Sequence, residues 1–324
     1  MRKKSFLIVL AVICFVLLLP LWGLAEEDVQ GVIQQTPGYW TQEKMDQAIA
    51  NPADAKIEGA QQMIIEEEPS DPPILVPPNS KDKNSFNTLD LSAPFTLSLT
   101  CPASGYSWSF DTNNTEYPER VIGKLFFTDS EGVAKVCSAS LISADIIVTA
   151  GHCVTSSQQW HTNIIFVPGY KYDERPYGTF SIKAARVKTS WFNDANYGRD
   201  VAFAKLWTNV GDSIGWLGHW YNANPASLQW YQCGYPAADP FDGSIMAINL
   251  AGYGGRHATI PQAIAIGSAL TPGSSGGPWV LLREDGPYAN SVTSFHLVSC
   301  PETKGGPYFD TDIYEMFERL RDSQ

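Results

Sequence analysis

The chain has 324 residues and a 44% hydrophobic content, enough for a sizeable core in one or two domains. Its 26 glycines, 22 prolines and 12% aromatic residues favour a turn-rich β protein over a helical bundle. With 34 acidic against 22 basic residues the net charge is −12, which excludes nucleic acid as a partner because nothing here competes for a phosphate backbone.

The amino terminus has the layout of an export signal. Met1 to Lys4 form a basic n-region, Phe6 to Trp22 an apolar run, and Gly23 and Ala25 are the small residues a signal peptidase reads. Residues 1–25 are therefore expected to be removed and the protein secreted, with no stable membrane association afterwards. An uncleaved anchor is the alternative, because the run approaches spanning length. Cys14 leaves with the signal. Export makes the other five cysteines disulfide candidates, and an odd count leaves at least one thiol over, with Cys101, the outermost, the natural one.

Residues 26 to about 100 carry 13 acids against 4 bases and contain Glu66-Glu67-Glu68, Pro72-Pro73 and Pro77-Pro78. Such a segment buries too little apolar surface to offset the entropy of ordering it. It is expected to be a disordered pro-segment with one short helix at 42–50, capped by Thr41. Removal on maturation makes it a propeptide over 26–117; a permanent linker or tail is the alternative.

From residue 118 the texture changes. Short apolar runs recur between turn signals at 125–127, 139–142, 146–148, 164–167, 180–182 and 201–206. After a Gly/Trp/Asn-rich stretch near 208–226 they resume at 228–232, 245–251, 263–270, 278–282 and 294–298. The spacing suits an all-β sandwich or barrel divided near 210–225 into two units, about 118–212 and 222–310. Ile313, Met316, Phe317 and Leu320 share one helical face, which predicts an amphipathic helix over 312–322 packed on the β body.

Three strings carry the chemistry: Thr149-Ala150-Gly151-His152-Cys153, Asp200-Val201-Ala202-Phe203-Ala204 and Gly273-Ser274-Ser275-Gly276-Gly277-Pro278. A serine hydroxyl is a poor nucleophile until an imidazole takes its proton, and a buried carboxylate must hold that imidazole in the right tautomer. Ser275 is the candidate nucleophile, His152 the proton shuttle and Asp200, at the head of an apolar strand, the orienting acid. Asp194 is the nearby rival to Asp200, in a polar loop with no strand behind it. The glycines let backbone N–H groups converge, and those of Gly273 and Ser275 are the expected oxyanion donors. This chemistry needs no cofactor and no metal.

Gly273-x-Ser275-x-Gly277 also satisfies the nucleophile-elbow pattern of α/β-hydrolases. That fold places a helix after the elbow, and an acid and then a histidine after the serine. Here a strand-like Pro278-Trp279-Val280-Leu281-Leu282 follows, and the histidine with the best context comes first.

In this order the strings resemble the signature blocks of the trypsin/chymotrypsin-fold serine peptidases, over roughly residues 118–324. The resemblance implies two antiparallel six-stranded β-barrels with the triad between them, protein or peptide substrates, and a Cys137–Cys153 disulfide beside the histidine. Two departures narrow it. Ser274 stands where animal-type members carry the aspartate that pairs with a newly cut amino terminus, so Arg120-Val121-Ile122-Gly123 is not expected to act as that kind of activation site. Ala269 stands where trypsins carry a pocket-floor aspartate, which argues against selectivity for lysine or arginine.

The short Asp-to-Ser segment and Cys233-Gly234-Tyr235-Pro236 lean toward the bacterial glutamyl-endopeptidase-like branch. There a histidine and a threonine bind the substrate carboxylate, and His296 and Thr271 are the candidates for those roles. An ordinary core or surface histidine is the alternative for His296. Self-processing after glutamate would fall at Glu68, Glu116 or Glu119.

The remaining signals read blandly. His161, His219 and His257 have no ligand partners at metal spacing. Trp216, Trp220 and Trp230 read as packing rather than a carbohydrate surface. Asn113-Asn114-Thr115 is an acceptor sequon, used only by a host that glycosylates. Spacing does not fix cysteine connectivity, and Cys300 is the default partner of Cys233. The alternative to an enzyme is a catalytically silent binding protein on the same scaffold; against it, no triad member is missing.

Overall fold

The computed structural model describes residues 26–58, 63–64, 69, 71–80, 105–225, 228–253, 255–257, 260 and 262–323. The expected export signal, Cys14, Glu68 and Cys101 lie outside them. The first half of the body is a sheet of Ile122–Thr128, Ala134–Leu141, Ile146–Thr149, Thr162–Pro168, Phe180–Lys188 and Ala202–Leu206. Strand Phe180–Lys188 bonds both Thr162–Pro168 and Ala202–Leu206, which closes the sheet into a six-stranded antiparallel barrel. Its strands bury apolar side chains on both faces, and Leu125, Val148, Ile165, Ile182 and Phe203 all belong to one large apolar cluster.

The second half contributes six further strands: Gln229–Gly234, Ala247–Tyr253, Ala263–Gly267, Pro278–Arg283, Gly286–Val292 and Cys300–Pro307. They are shared between two sheets. Side chains bridge the seams, with the Asn249 amide donating to the Gly267 carbonyl at 3.1 Å and the Ser291 hydroxyl to that of Pro307 at 2.8 Å. The expected two-barrel, all-β architecture is therefore present. The carboxyl-terminal helix runs over Thr311–Arg321, capped by Asp310, and buries the expected Ile313, Met316, Phe317 and Leu320. Phe317 touches Phe203 of the first barrel and His219 of the second half, so the helix pins the two together.

The leader departs from the expectation of disorder. Its described parts lie along the body as added strands: Asp28–Val32 on Phe180–Lys188, Met63–Ile64 on Gly255–His257 and Ile74–Val76 on Gly218–Tyr221. The helix Gln42–Ile49 has the expected Thr41 cap and buries Met45 and Ala48. Trp40 packs on Phe126 at 5.6 Å. The acid excess also finds partners, since Glu26 bonds Arg199 and Asp28 bonds Arg186 and Arg319. The expectation failed because it counted only apolar surface internal to the segment. Edges, grooves and basic side chains of the body supply the rest.

The cysteines follow the expectations in part. Cys137 and Cys153 are bonded, with their Cα atoms 6.1 Å apart. Cys233 is a buried free thiol, and Cys300 is disulfide-bonded elsewhere, so the default Cys233–Cys300 pairing is wrong. The two belong to separate apolar clusters, Cys233 beside Tyr235 and Met246 in the main core and Cys300 beside Phe295 and Leu297.

Candidate active site

Asp200 closes the turn Tyr197–Arg199 just before strand Ala202–Leu206 and is fully buried. Its Oδ2 lies 2.7 Å from Nδ1 of His152, and its Oδ1 accepts the His152 backbone N–H at 2.8 Å. One carboxylate thus fixes both the ring and the backbone of the histidine. Ser294 donates its hydroxyl to the same Oδ2. Asp194 ends the helix Thr189–Asp194 in an exposed position and takes no part.

Ser275 sits in the tight loop ahead of strand Pro278–Arg283. Its carbonyl accepts the Ser138 N–H at 2.7 Å, and Thr149 Oγ1 donates to the Ser138 carbonyl at 2.8 Å, which stitches the serine loop to the strands leading into His152. Gly273 (φ +97°) and Gly276 (φ +78°) hold left-handed conformations that favour glycine. A Cβ on Gly276 would also lie 2.0 Å from Thr149 Oγ1. Ser274 folds back, its hydroxyl donating to the Thr271 carbonyl at 2.7 Å. His152 Nε2 is buried without a hydrogen-bond partner among the described residues. Catalytic hydrogen bonds of this kind commonly tighten only around bound substrate.

Beside the serine loop lies a cavity of about 290 Å³, lined by Ala269, Thr271, His296, Glu302 and Lys304, among others. Strand pairing sets His296 directly opposite Lys304. Lys304 is 7% exposed, and burial pushes its ammonium down to about 8 while the carboxylates of Asp54 and Glu302 pull it back up. It therefore stays largely protonated at neutral pH. Thr271 lines the cavity, but its hydroxyl donates to the Ala238 carbonyl at 2.8 Å, so its proton is already committed.

A model of the trypsin family matches residues 111–318. The chain belongs to the trypsin family. Among solved structures, the protease Anisep of Arthrobacter nicotinovorans is 34% identical with a TM-score of 0.59, over 64% of this chain and 99% of that one. A thermostable serine protease from an extremophilic microorganism is 28% identical with a TM-score of 0.58, over 63% and 98%. A Glu endopeptidase, 20% identical with a TM-score of 0.57 over 67% and 97%, shares the fold. A protein described as an extracellular metalloprotease of Bacillus subtilis (strain 168) is 30% identical over 108 residues, 32% of this chain. The chain spans about a third of the length of that curated relative, 34%.

By family and fold the chain is thus a trypsin-like serine peptidase. Among the described residues His152 lies in a cluster with Cys137 and Cys153, whose two sulfurs are joined to each other. Trypsin-type activation at Arg120-Val121 has no opening, since Val121 and Ile122 are fully buried. His161 stacks on Phe127, and burial pushes its imidazole down to about 4. His219 is held by the Tyr221 hydroxyl at 2.7 Å and pushed down to about 3 by burial. Trp230 and Trp279 are fully buried and pack on one another.

In this trypsin-family chain the leader lies across the cleft. Ala53 donates its N–H to the Val136 carbonyl at 3.0 Å, and its own carbonyl accepts the Gly273 N–H at 3.2 Å. Lys56–Ile57 then pairs in parallel with strand Phe295–Leu297. His296 N–H donates to Ala55 O at 3.0 Å and Val298 N–H to Ile57 O at 3.1 Å. Between these bonds the Asp54 carboxylate reaches Nδ1 of His296 at 3.3 Å, and that contact holds its carboxyl below the ordinary range.

Sequence reading missed Lys304 and Ser294. Lys304 lies in Cys300-Pro301-Glu302-Thr303-Lys304-Gly305-Gly306-Pro307, whose prolines and glycines signal a turn. Ser294 lies two residues before the candidate His296, but nothing in a lone serine marks it as an aspartate's partner.

Proposed function

We propose that the protein is a secreted serine endopeptidase made as a precursor. Ser275 Oγ attacks the scissile carbonyl while its proton passes to His152 Nε2. Asp200 holds the imidazole and stabilises the imidazolium, and the N–H groups of Gly273 and Ser275 receive the oxyanion. Collapse breaks the C–N bond, and the imidazolium returns its proton to the departing amine. Water, activated by the same imidazole, then hydrolyses the acyl-enzyme and frees Ser275. The observation that carries this reading is the double grip of the fully buried Asp200 on His152.

The reading extends to a preference for an acidic residue, glutamate first, before the scissile bond. His296 lends the cavity an imidazole and the buried Lys304 an ammonium, and Ala269 leaves its expected floor position without an acid. The export signal and leader make the precursor. Within 26–117, both Asp28–Val32 and Tyr106–Phe110 pair with strands of the body along five residues, so the precursor segment is docked rather than loose.

A fluorophosphonate probe tests the chemistry: labelling of the matured protein, lost in Ser275→Ala, is the expected result. Matured protein that does not label would leave a silent binding protein on this scaffold. A peptide-library digest tests the preference, which fails if cleavage after glutamate is absent or unaffected by His296→Ala.

A further inference from the structure

We propose that the leader segment Ala53–Ile57 is a reverse-bound ligand of the substrate cleft, with Asp54 paired to His296 beside the cavity that His296 and Lys304 line. The inference rests on the peptidase reading and adds how the site is held closed in the precursor.

Chain direction carries the argument. In a cleavable substrate, the carbonyl at the Gly273 N–H and the side chain in the adjacent cavity belong to one residue, because the residue being recognised is the one acylated. In the leader they belong to consecutive residues: the carbonyl is Ala53's and the carboxylate beside His296 is Asp54's. The chain then continues along Phe295–Leu297 in parallel, with its carboxyl-terminal side toward Ile57. Attack on the Ala53 carbonyl would release the amine of Asp54, yet that residue stays clamped by the His296 side chain and by the Ala55 and Ile57 carbonyl bonds. The amine would remain in place to re-form the bond. A segment bound this way uses the recognition groups of the cleft without being a substrate.

The fit is specific on the side-chain level as well. The His296 hydrogen bond lowers the Asp54 carboxyl against the opposing effect of burial, the charges of His296, Lys56 and His152 add to the lowering, and the Asp54 carboxylate in turn acts on Lys304. The leader is anchored upstream by strand Asp28–Val32 and helix Gln42–Ile49, so the cleft segment binds intramolecularly at a high effective concentration.

The test uses full-length protein with the leader attached and follows the rate of Ser275 labelling by a fluorophosphonate. Wild type is compared with Asp54→Ala, with Asp54→Asn, and with Asp46→Ala on the exposed face of the leader helix. Circular dichroism establishes that each variant is folded. The expected result is labelling at least tenfold faster for Asp54→Ala, an intermediate rate for Asp54→Asn, and the wild-type rate for Asp46→Ala. Mass spectrometry should find the Ala53–Asp54 bond intact after long incubation of active wild type. Equal labelling rates across all four proteins, or ready cleavage between Ala53 and Asp54, would overturn the proposal while leaving the peptidase reading intact. Absence of labelling in all of them and in protein freed of its leader would overturn both.

Discussion

Nδ1 of His296 stands 3.3 Å from Oδ1 of Asp54, so the imidazole proposed to receive a substrate acid is engaged by an acid of the same chain. That contact has a pH signature. The His296 hydrogen bond lowers the Asp54 carboxyl below its ordinary 3.8, with help from the charges of His296, Lys56 and His152. A depressed folded value means the contact contributes fully above the ordinary carboxylate range and is lost as pH falls through the lowered value. Leader attachment at the cleft is expected to weaken below about pH 4. Hydrogen exchange of the segment 53–57 between pH 6 and pH 3 checks this, with Asp54→Asn expected to flatten the dependence.

Lys304 carries the second expectation. It sits across from His296, almost fully buried, with its ammonium donating to the Pro301 carbonyl. A substrate carboxylate entering the cavity would gain a charge-assisted bond from a buried ammonium, and removing one partner of such a pair costs about 2–3 kcal/mol, roughly 10²-fold. Lys304→Met in leader-free enzyme should lower kcat/KM for glutamyl substrates by about that factor, with alanyl substrates changed far less. Equal losses on both substrates would show that Lys304 supports the fold rather than the selectivity.

How much of this was legible in the sequence depends on what each element needed from elsewhere. The carboxyl-terminal helix announced itself because Ile313, Met316, Phe317 and Leu320 alone define its buried face. The pairing of Asp200 with His152 was legible because the roles proposed for them ask for a local context, a strand head and a small-residue turn. The strand Cys300–Pro307 was not. Its Gly305 is there because the ring of Phe295 lies over it, only 2.1 Å from where a Cβ would be, a constraint set by a residue on another strand. The leader failed for the same reason: Asp28 and Glu26 look like solvated charge until Arg186, Arg199 and Arg319 are brought to them.

The Cys137–Cys153 bond ties the residue after His152 to strand Ala134–Leu141 and closes a loop of 16 residues. A loop of that length is worth about 3 kcal/mol in the chain-entropy account. Replacing both cysteines with serine should therefore lower the unfolding free energy by about that amount in denaturant titrations. Because the bond sits beside His152, the proposed proton shuttle, activity at low denaturant should also fall before global unfolding. A variant with unchanged midpoint and activity would mean the surrounding packing already fixes the histidine turn.

Glu119 gives the last expectation. The residue is 2% exposed, its Oε2 has no hydrogen-bond partner among the described residues, and burial pushes its carboxyl up from 4.5 to about 8, with Asp111 and Glu116 adding to the rise. The folded protein therefore prefers the protonated acid. A folded value raised above the unfolded one gives a contribution that is complete below pH 4.5 and fades as pH climbs through about 8. Glu119→Gln keeps the shape and removes the ionisation, so it should match wild type near pH 4.5 and exceed it by about 1–3 kcal/mol at pH 8.5. Unfolding free energies at the two pH values decide it. A variant that is less stable at both would mean the buried carboxyl has a partner that an amide cannot replace.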